Sequence, residues 1–191
     1  MNILYLPGFN SSPASEKSSL LRQHFPQAVI PEYNSWDPDI SYIQLEQAIL
    51  PLLNQGVLLT GSSLGGFWAY QFACRYRQPC LLINPCMHPE LSLQRYIGKV
   101  ENFYSHEQGW LTEAHLGKYA AYRVNGQPSR LTVLHEQGDE LIPYMESVVN
   151  FSGKAKLILP GGGHHRFART DLIAACIRDM LPPEDAGHQK A

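Results

Sequence analysis

Several signals are missing from this sequence of 191 residues, and each absence excludes a class of protein. No stretch approaches the roughly 18 uninterrupted apolar residues of a membrane span. Dense clusters of Lys and Arg are also missing, and a formal net charge of -2 offers no electrostatic footprint for nucleic acid or an anionic membrane. Residues 1–7 contain no basic leader and only a short apolar run, so we expect no signal peptide and a cytoplasmic location.

Cysteine spacing excludes a further set of sites. The sequence has four cysteines but no C-x-x-C pair, which argues against a zinc site or a thioredoxin-like motif. A chain of this length buries a sizeable core without covalent cross-links. Rather than two disulfides, we therefore expect buried free thiols at Cys74, Cys80, Cys86 and Cys176.

The sequence does contain a regular alternation of strand and helix patterns. Short apolar runs predict buried strands at residues 3–6, 28–30, 57–60, 81–83, 131–135 and 156–159. Segments with helical periodicity lie between or after them, at residues 15–25, 40–53, 64–76, 143–151 and 167–180. This alternation predicts a mostly parallel sheet of about six strands with helices on both faces. Length and composition fit a single domain over residues 1–191.

Two segments depart from this alternation. Residues 97–129 are polar and aromatic, and so long an excursion is typical of a lid or pocket wall, although ordinary surface packing also fits. We expect a minimal cap or none over the sheet. Residues 182–191 begin with a pair of prolines and are polar after it, so we expect a flexible tail.

The strongest motif is Gly61-Ser62-Ser63-Leu64-Gly65, which matches G-x-S-x-G. A strand is predicted directly before it and a helix directly after it, which is the setting of a nucleophile elbow. In such an elbow the serine lies on a sharp, strained turn, and the residues two positions away must be small. No Lys-Ser/Thr pair follows the glycines, which excludes a P-loop. The motif predicts Ser63 as a nucleophile, and a glycine-rich turn without chemistry is the alternative.

A serine nucleophile needs a general base to accept its proton. Where this elbow occurs, the acid and then the histidine follow the serine along the chain. The glycine-rich residues 160–163 follow the last predicted strand and lead into His164 and His165. We favour His165 as the base, with His164 as the alternative, and assign the other histidines to surface or packing roles. The pair lacks nearby carboxylate or thiolate partners, so we expect no metal there.

The acid should follow the strand before the last, where it would hold the imidazole in the correct tautomer. Residues 136–140 follow that predicted strand. Asp139 lies between a glycine and an apolar segment, which favours it as the acid. Glu136 and Glu140 remain alternatives, as does a solvated acidic loop with no role in catalysis.

Catalysis also requires donors to the developing oxyanion. One is expected to be the amide of Leu64, the residue after the nucleophile. The second should come from the loop after an early strand, and residues 7–10 form that loop. We assign the second donor to the amide of Phe9, while a simple turn without this role is the alternative.

Four stretches together resemble the YqiA-like esterases, a small bacterial branch of the α/β hydrolases. They are residues 5–13 (YLPGFNSSP), 61–66 (GSSLGG), 138–140 (GDE) and 162–167 (GGHHRF). The resemblance spans nearly the whole chain in order. It implies the α/β-hydrolase fold, His165 as the base, and hydrolysis of acyl esters or thioesters without a cofactor.

The resemblance has one clear departure and one weak region. Pro7 stands where that family usually has a histidine, so any role of a histidine side chain there is lost. The oxyanion donor is a backbone group, which a change of side chain at this position leaves in place. The likeness is weakest over residues 97–129.

These observations predict a cofactor-free serine hydrolase that cleaves a small carboxylic ester through an acyl-enzyme intermediate. The nearest alternative is an acyl-CoA thioesterase with the same triad. Two rivals come from other classes: a catalytically silent hydrolase fold used as a binding module, and a metal-dependent hydrolase that uses His164 and His165. We expect a small-molecule substrate as its partner, no nucleic-acid partner, and no membrane span in the chain.

Overall fold

The computed structural model describes residues 1–183 and shows the predicted alternation of strands and helices. In chain order the elements are β1 (Asn2–Leu6), α1 (Glu16–His24), α2 (Pro38–Ile49), β2 (Val57–Ser62), α3 (Leu64–Tyr76), β3 (Pro79–Ile83), α4 (Pro89–Ser92), β4 (Gly98–Glu101), β5 (Gln108–Leu111), α5 (Glu113–Lys118), β6 (Arg130–Leu134), α6 (Met145–Phe151), β7 (Lys156–Ile158) and α7 (Thr170–Met180). Short 3-10 helices occupy Leu50–Gln55, Gln94–Tyr96 and Tyr119–Tyr122.

The main sheet has the strand order β1-β2-β3-β6-β7, and every neighbouring pair is parallel. The carboxyl ends of all five strands therefore meet at one edge. The sixth predicted strand, residues 28–30, forms only an isolated bridge between Val29 and Leu4. Val29 accepts a 2.9 Å hydrogen bond from the amide of Tyr5 and donates one of 2.9 Å to Ile3. Prolines at 26 and 31 flank this run, and the missing N–H of Pro31 stops the ladder from extending.

Helices cover both faces of the sheet, as the apolar strands predicted. Alternate residues of β1 point to opposite sides, so Leu4 and Leu6 pack in a cluster with α2 and α3. Ile3 and Tyr5 pack in a second cluster with α1 and α7. This two-sided burial explains why the strands are continuous apolar runs rather than alternating ones.

The starts of α2 and α7 differ from the sequence prediction, and each difference has an identifiable reason. Helix α2 begins at Pro38, two residues early, because the Asp37 side chain caps it by accepting from the amide of Asp39 at 3.0 Å. Helix α7 begins at Thr170, three residues late, because Phe167 has a left-handed φ of 49°. A buried Phe167 in this conformation turns the chain before the helix starts.

Residues 97–129 form the antiparallel hairpin β4–β5, then α5 and a 3-10 helix. The segment is anchored in the core by Tyr119, whose ring lies 5.4 Å from that of Phe67 and 5.8 Å from that of Trp68. All four cysteines are buried free thiols, as predicted. Over residues 1–183 no helix has the length and apolarity to cross a bilayer. Most of the predicted tail, from residue 184 onward, lies outside the described residues.

Candidate active site

Ser63 forms the turn between β2 and α3 at the carboxyl edge of the sheet. Its φ of 55° and ψ of -122° are unfavourable for a residue with a side chain, so the turn is strained. The surrounding backbone holds it in place: its amide donates to the carbonyl of Ile83 at 3.0 Å, and its carbonyl accepts from Gly66 at 2.9 Å and Cys86 at 3.0 Å. This is the geometry of a nucleophile elbow, and the side chain of Ser63 faces a cavity.

The two glycines of the motif are required by close backbone contacts. A Cβ atom on Gly61 would lie 2.1 Å from the carbonyl oxygen of Gly65. A Cβ atom on Gly65 would lie 2.0 Å from the carbonyl oxygen of Leu6 in β1. Real Cβ atoms do not approach backbone so closely, so the elbow forms only with glycine at both positions.

The structure brings His165 into contact with both Ser63 and Asp139. The Nε2 atom of His165 lies 2.9 Å from Oγ of Ser63, and its Nδ1 atom lies 2.8 Å from Oδ2 of Asp139. His164 is exposed, and its side chain forms no hydrogen bond with residues 1–183. The side-chain amide of Asn84 donates to the carbonyls of His164 and His165 at 3.2 and 3.0 Å, which fixes the direction of the loop.

The carboxylate of Asp139 is fully buried and well supplied with donors. Its Oδ1 atom accepts from the amides of Leu141 and Ile142, both at 2.9 Å. Burial alone would raise the pKa of Asp139, but hydrogen bonds from His135, His165 and Ile142 outweigh burial. The pKa of this carboxyl therefore lies well below its usual range, and it is ionised at neutral pH.

His135 is a neighbour of Asp139 to which the sequence analysis assigned no role at the site. Its ring is fully buried, with Nε2 at 3.0 Å from the carbonyl of Ile142 and 3.3 Å from Oδ2 of Asp139. Because a carbonyl only accepts, Nε2 donates, and Nδ1 accepts from the hydroxyl of Ser147 at 2.7 Å. The sequence offered one indication that His135 lies near Asp139, because His135 ends a predicted strand four residues before Asp139.

The two alternative acids hold the backbone of the histidine loop instead of an imidazole. Glu136 is buried, accepts from the amide of His164 at 2.8 Å, and pairs with Nε of Arg169 at 3.2 Å. Glu140 accepts from the amide of His165 at 2.9 Å, and this bond lowers the pKa of Glu140. Neither carboxylate contacts an imidazole nitrogen, so the geometry separates them from Asp139.

The loop at residues 7–10 lies directly against the serine. A Cβ atom on Gly8 would be 3.2 Å from Cβ of Ser63, and the hydroxyl of Tyr33 holds the loop by donating to the carbonyl of Pro7 at 2.6 Å. Within residues 1–183, the amides of Phe9 and Leu64 donate no hydrogen bond. Both predicted oxyanion donors are therefore available to a ligand.

A cavity of about 350 Å³ opens beside Ser63. Phe103 and Tyr104, from the turn of the β4–β5 hairpin, contribute to its wall together with Phe9 and Tyr96, whose rings lie 5.3 Å apart. This volume and lining suit a small ligand with an apolar body. Over the described part of the chain, no group of three or more His, Cys, Asp and Glu side chains is arranged to hold a metal ion.

Lys17 is a second residue that the sequence analysis did not single out. It lies in the first turn of α1, and its Nζ atom donates to Oγ of Ser62 at 2.9 Å, on the wall of the same cavity. Burial lowers the pKa of Lys17 to about 8, although the negative charges of Glu136 and Asp139 act in the opposite direction. No sequence pattern marks a lysine in this position, because the contact depends on how α1 packs against β2.

Comparison with solved structures identifies the fold. A candidate hydrolase from Agrobacterium vitis S4 superposes with a TM-score of 0.73 at 20% identity, over 95% of this chain and 88% of that one. Est1E from Butyrivibrio proteoclasticus gives a TM-score of 0.70 at 16% identity, over 93% and 85%. The mouse alpha/beta hydrolase domain-containing protein 10 gives 0.66 at 17% identity, over 93% and 88%. The chain therefore has the predicted α/β-hydrolase fold.

Comparison with sequences identifies the family. A UPF0227 protein of Vibrio cholerae serotype O1 is 28% identical over 109 residues, which are 53% of this chain and 60% of the relative. A UPF0227 protein of Serratia proteamaculans is 29% identical over 109 residues, covering 53% and 59%. The chain thus aligns with about three fifths of the length of these relatives. The family model described as "Uncharacterised protein family (UPF0227)" matches residues 2–177, which confirms the family resemblance seen in the sequence. The chain belongs to the UPF0227 family.

Proposed function

We propose that this chain is a serine hydrolase that cleaves carboxylic esters through an acyl-enzyme intermediate. The observation that carries the proposal is the continuous contact from Ser63 to His165 to Asp139, with distances of 2.9 and 2.8 Å. A nucleophile, a base and an orienting carboxylate within hydrogen-bond reach form the arrangement that activates a serine hydroxyl. The α/β-hydrolase fold hosts this chemistry in other proteins, but a fold does not determine a function, so these contacts at the site are what support the proposal.

In the acylation step, Oγ of Ser63 attacks the acyl carbon and its proton passes to Nε2 of His165. Asp139 accepts from Nδ1–H and stabilises the imidazolium that results. The amides of Phe9 and Leu64 donate to the oxyanion of the tetrahedral intermediate. Collapse of this intermediate breaks the bond to the leaving oxygen, which takes the proton from Nε2 and departs as an alcohol.

In the deacylation step, water replaces the alcohol. His165 removes a proton from the water as it attacks the acyl carbon, and the same donors stabilise the second oxyanion. The bond between the acyl carbon and Oγ breaks, and Oγ takes the proton back from Nε2. The products are a carboxylic acid and the free Ser63 hydroxyl, so the cycle needs no cofactor.

The nature of the substrate follows from the cavity. A volume of about 350 Å³ with aromatic walls suits a small acyl ester. Among the neighbours in fold, Est1E was also solved with ferulic acid bound, which is a small aromatic acid. A thioester would react by the same steps with a thiol as leaving group, so a series of acyl lengths presented as both esters and thioesters compares the two leaving groups.

The test is hydrolysis of p-nitrophenyl acetate by the wild type and by Ser63→Ala, together with labelling by a fluorophosphonate probe. We expect the wild type to turn over the ester and to carry the label on Ser63. The variant should lose both, with a rate constant lower by about 10⁴ or more. Activity of Ser63→Ala within a few-fold of the wild type would refute the proposed nucleophile.

A further inference from the structure

A half-buried lysine forms part of the wall of the cavity that holds the reactive serine. Nζ of Lys17 donates to Oγ of Ser62 at 2.9 Å, and both residues line the cavity beside Ser63. Ser62 directly precedes the nucleophile Ser63, and adjacent Cα atoms are about 3.8 Å apart. The lysine therefore binds a residue that lies next to the nucleophile. An ammonium group has three donors, and the contact with Ser62 uses one of them.

The positive charge of Lys17 lacks a direct counter-ion. Within residues 1–183, no carboxylate oxygen lies within 4.0 Å of its Nζ atom. The two acidic groups that act on it from a distance are already engaged, Glu136 with Arg169 and Asp139 with His165. A charge in this position opposes folding, because burial disfavours the charged form.

The surroundings of Lys17 favour an anion over a cation. Lys17 lies in the first turn of α1, a nine-residue helix whose N-terminal end carries partial positive charge. Arg95 and Arg166 also line the cavity, and Arg166 pairs with no group in the described residues. The acidic side chain on this wall is Glu16, which is exposed and therefore screened by solvent.

The remaining wall is apolar or carries hydroxyl groups, and it includes Phe103, Tyr104 and Tyr5. A ligand that matches this cavity has an apolar body and a small anionic group that reaches Lys17. A half-buried charge without a counter-ion is one of the local violations that proteins retain at functional sites.

We infer that Lys17 and the hydroxyl of Ser62 form an anion-binding subsite, which selects ester substrates that carry a carboxylate or a phosphate close to the scissile bond. The inference rests on the proposed ester hydrolysis for the identity of the ligand. The anion would use the free donors of the ammonium group and would supply the counter-ion that the protein lacks. Charge-assisted hydrogen bonds of this kind select strongly between charged and neutral ligands.

The first experiment compares matched substrates in which a carboxylate is replaced by its neutral methyl ester. One pair places the carboxylate on the acyl side, as mono-p-nitrophenyl glutarate and its methyl ester. The other pair places the carboxylate on the leaving group, as 4-acetoxybenzoate and its methyl ester. In a further set, a phosphonate replaces the carboxylate of both anionic substrates and represents the phosphate group. We expect the wild type to favour the anionic member of at least one pair by about ten-fold or more in kcat/KM.

The preference should depend on Lys17 and not on positive charge elsewhere. Lys17→Met should reduce the ratio of anionic to neutral substrate to within about two-fold, whereas the exposed Lys154→Met should leave it unchanged. The wild type offers a test without substitution, because deprotonation near pH 8 should lower the ratio as pH rises through that value. Equal use of neutral and anionic members in both pairs, or a preference that survives Lys17→Met, would overturn the inference.

The outcomes also separate this inference from the proposed function. If neutral esters are hydrolysed and Ser63 is labelled but no anion preference appears, the subsite is wrong and the hydrolase proposal stands. If no ester is hydrolysed and no label forms, the proposed function fails. Calorimetric titration of glutarate and of inorganic phosphate then tests the subsite by itself, with binding expected for the wild type and lost in Lys17→Met.

Discussion

Replacement of Asp139 by asparagine tests the orienting role that we propose for this carboxylate. The backbone amides of Leu141 and Ile142 both donate to Oδ1, and an asparagine oxygen can keep these two bonds. The loop should therefore hold its shape. The new amide nitrogen takes the position of Oδ2, which now lies 2.8 Å from Nδ1 of His165 and 3.3 Å from Nε2 of His135.

The substitution puts a donor where His165 needs an acceptor. His135 cannot relieve the conflict, because its Nε2–H already faces the carbonyl of Ile142 and its Nδ1 accepts from Ser147. The imidazole of His165 must therefore move the proton to Nε2 or turn away. With a proton on Nε2 it can no longer accept one from Ser63, 2.9 Å away.

The size of the effect follows from this tautomer change. Loss of the correct tautomer with the geometry intact lowers kcat by about 10⁴, or about 5 kcal/mol of transition-state stabilisation. The assay is steady-state hydrolysis of p-nitrophenyl acetate, with circular dichroism to check the fold. The matched control is Glu140→Gln, which can still accept from the amide of His165 and should cost less than about ten-fold. Asp139→Asn within ten-fold of the wild type would show that this carboxylate does not orient the base.

Two further predictions use neighbouring pairs of residues. His165→Ala should lower kcat for the same ester by about 10³ or more, while His164→Ala should retain most of the activity because its side chain is exposed; loss of activity in His164→Ala alone would reverse the assignment. Gly65→Ala should lower the free energy of unfolding in urea by about 1–3 kcal/mol or more, because the new Cβ meets the carbonyl of Leu6. Gly117→Ala, in α5 with open space around it, should instead raise it by about 0.5–1 kcal/mol.

Much of the fold could be predicted because its signals are local. Three apolar residues and a β-branched threonine before Gly61, with an amphipathic segment after Gly65, are sufficient to place a strand and a helix. The limits of such signals are visible at residues 28–30, where an apolar run between two prolines forms a single bridge rather than a strand. They are visible again at Phe167, where a left-handed residue delays α7 by three positions. The first outcome follows from the missing N–H of Pro31 and the second from the backbone turn at Phe167, and a hydrophobic pattern reports neither.

The residues of the candidate site likewise divide into those that local sequence signals predict and those that depend on tertiary contacts. By itself, the sequence determined the elbow around Ser63, since the glycine at position 61 reports a close backbone contact with Gly65 within the same five residues. It also determined the order in which an acid and a histidine follow. It favoured His165 and kept His164 as the alternative, because neighbouring residues in a loop point in different directions.

Tertiary structure decided which side chains meet. The amide of Asn84 binds the carbonyls of the histidine loop and directs His165, rather than His164, towards the serine. Donors clustered around Asp139 distinguish it from Glu136 and Glu140. The contact of Lys17 with Ser62 joins residues 45 positions apart. Such pairings arise from the packing of helices on a sheet, which short-range patterns do not encode.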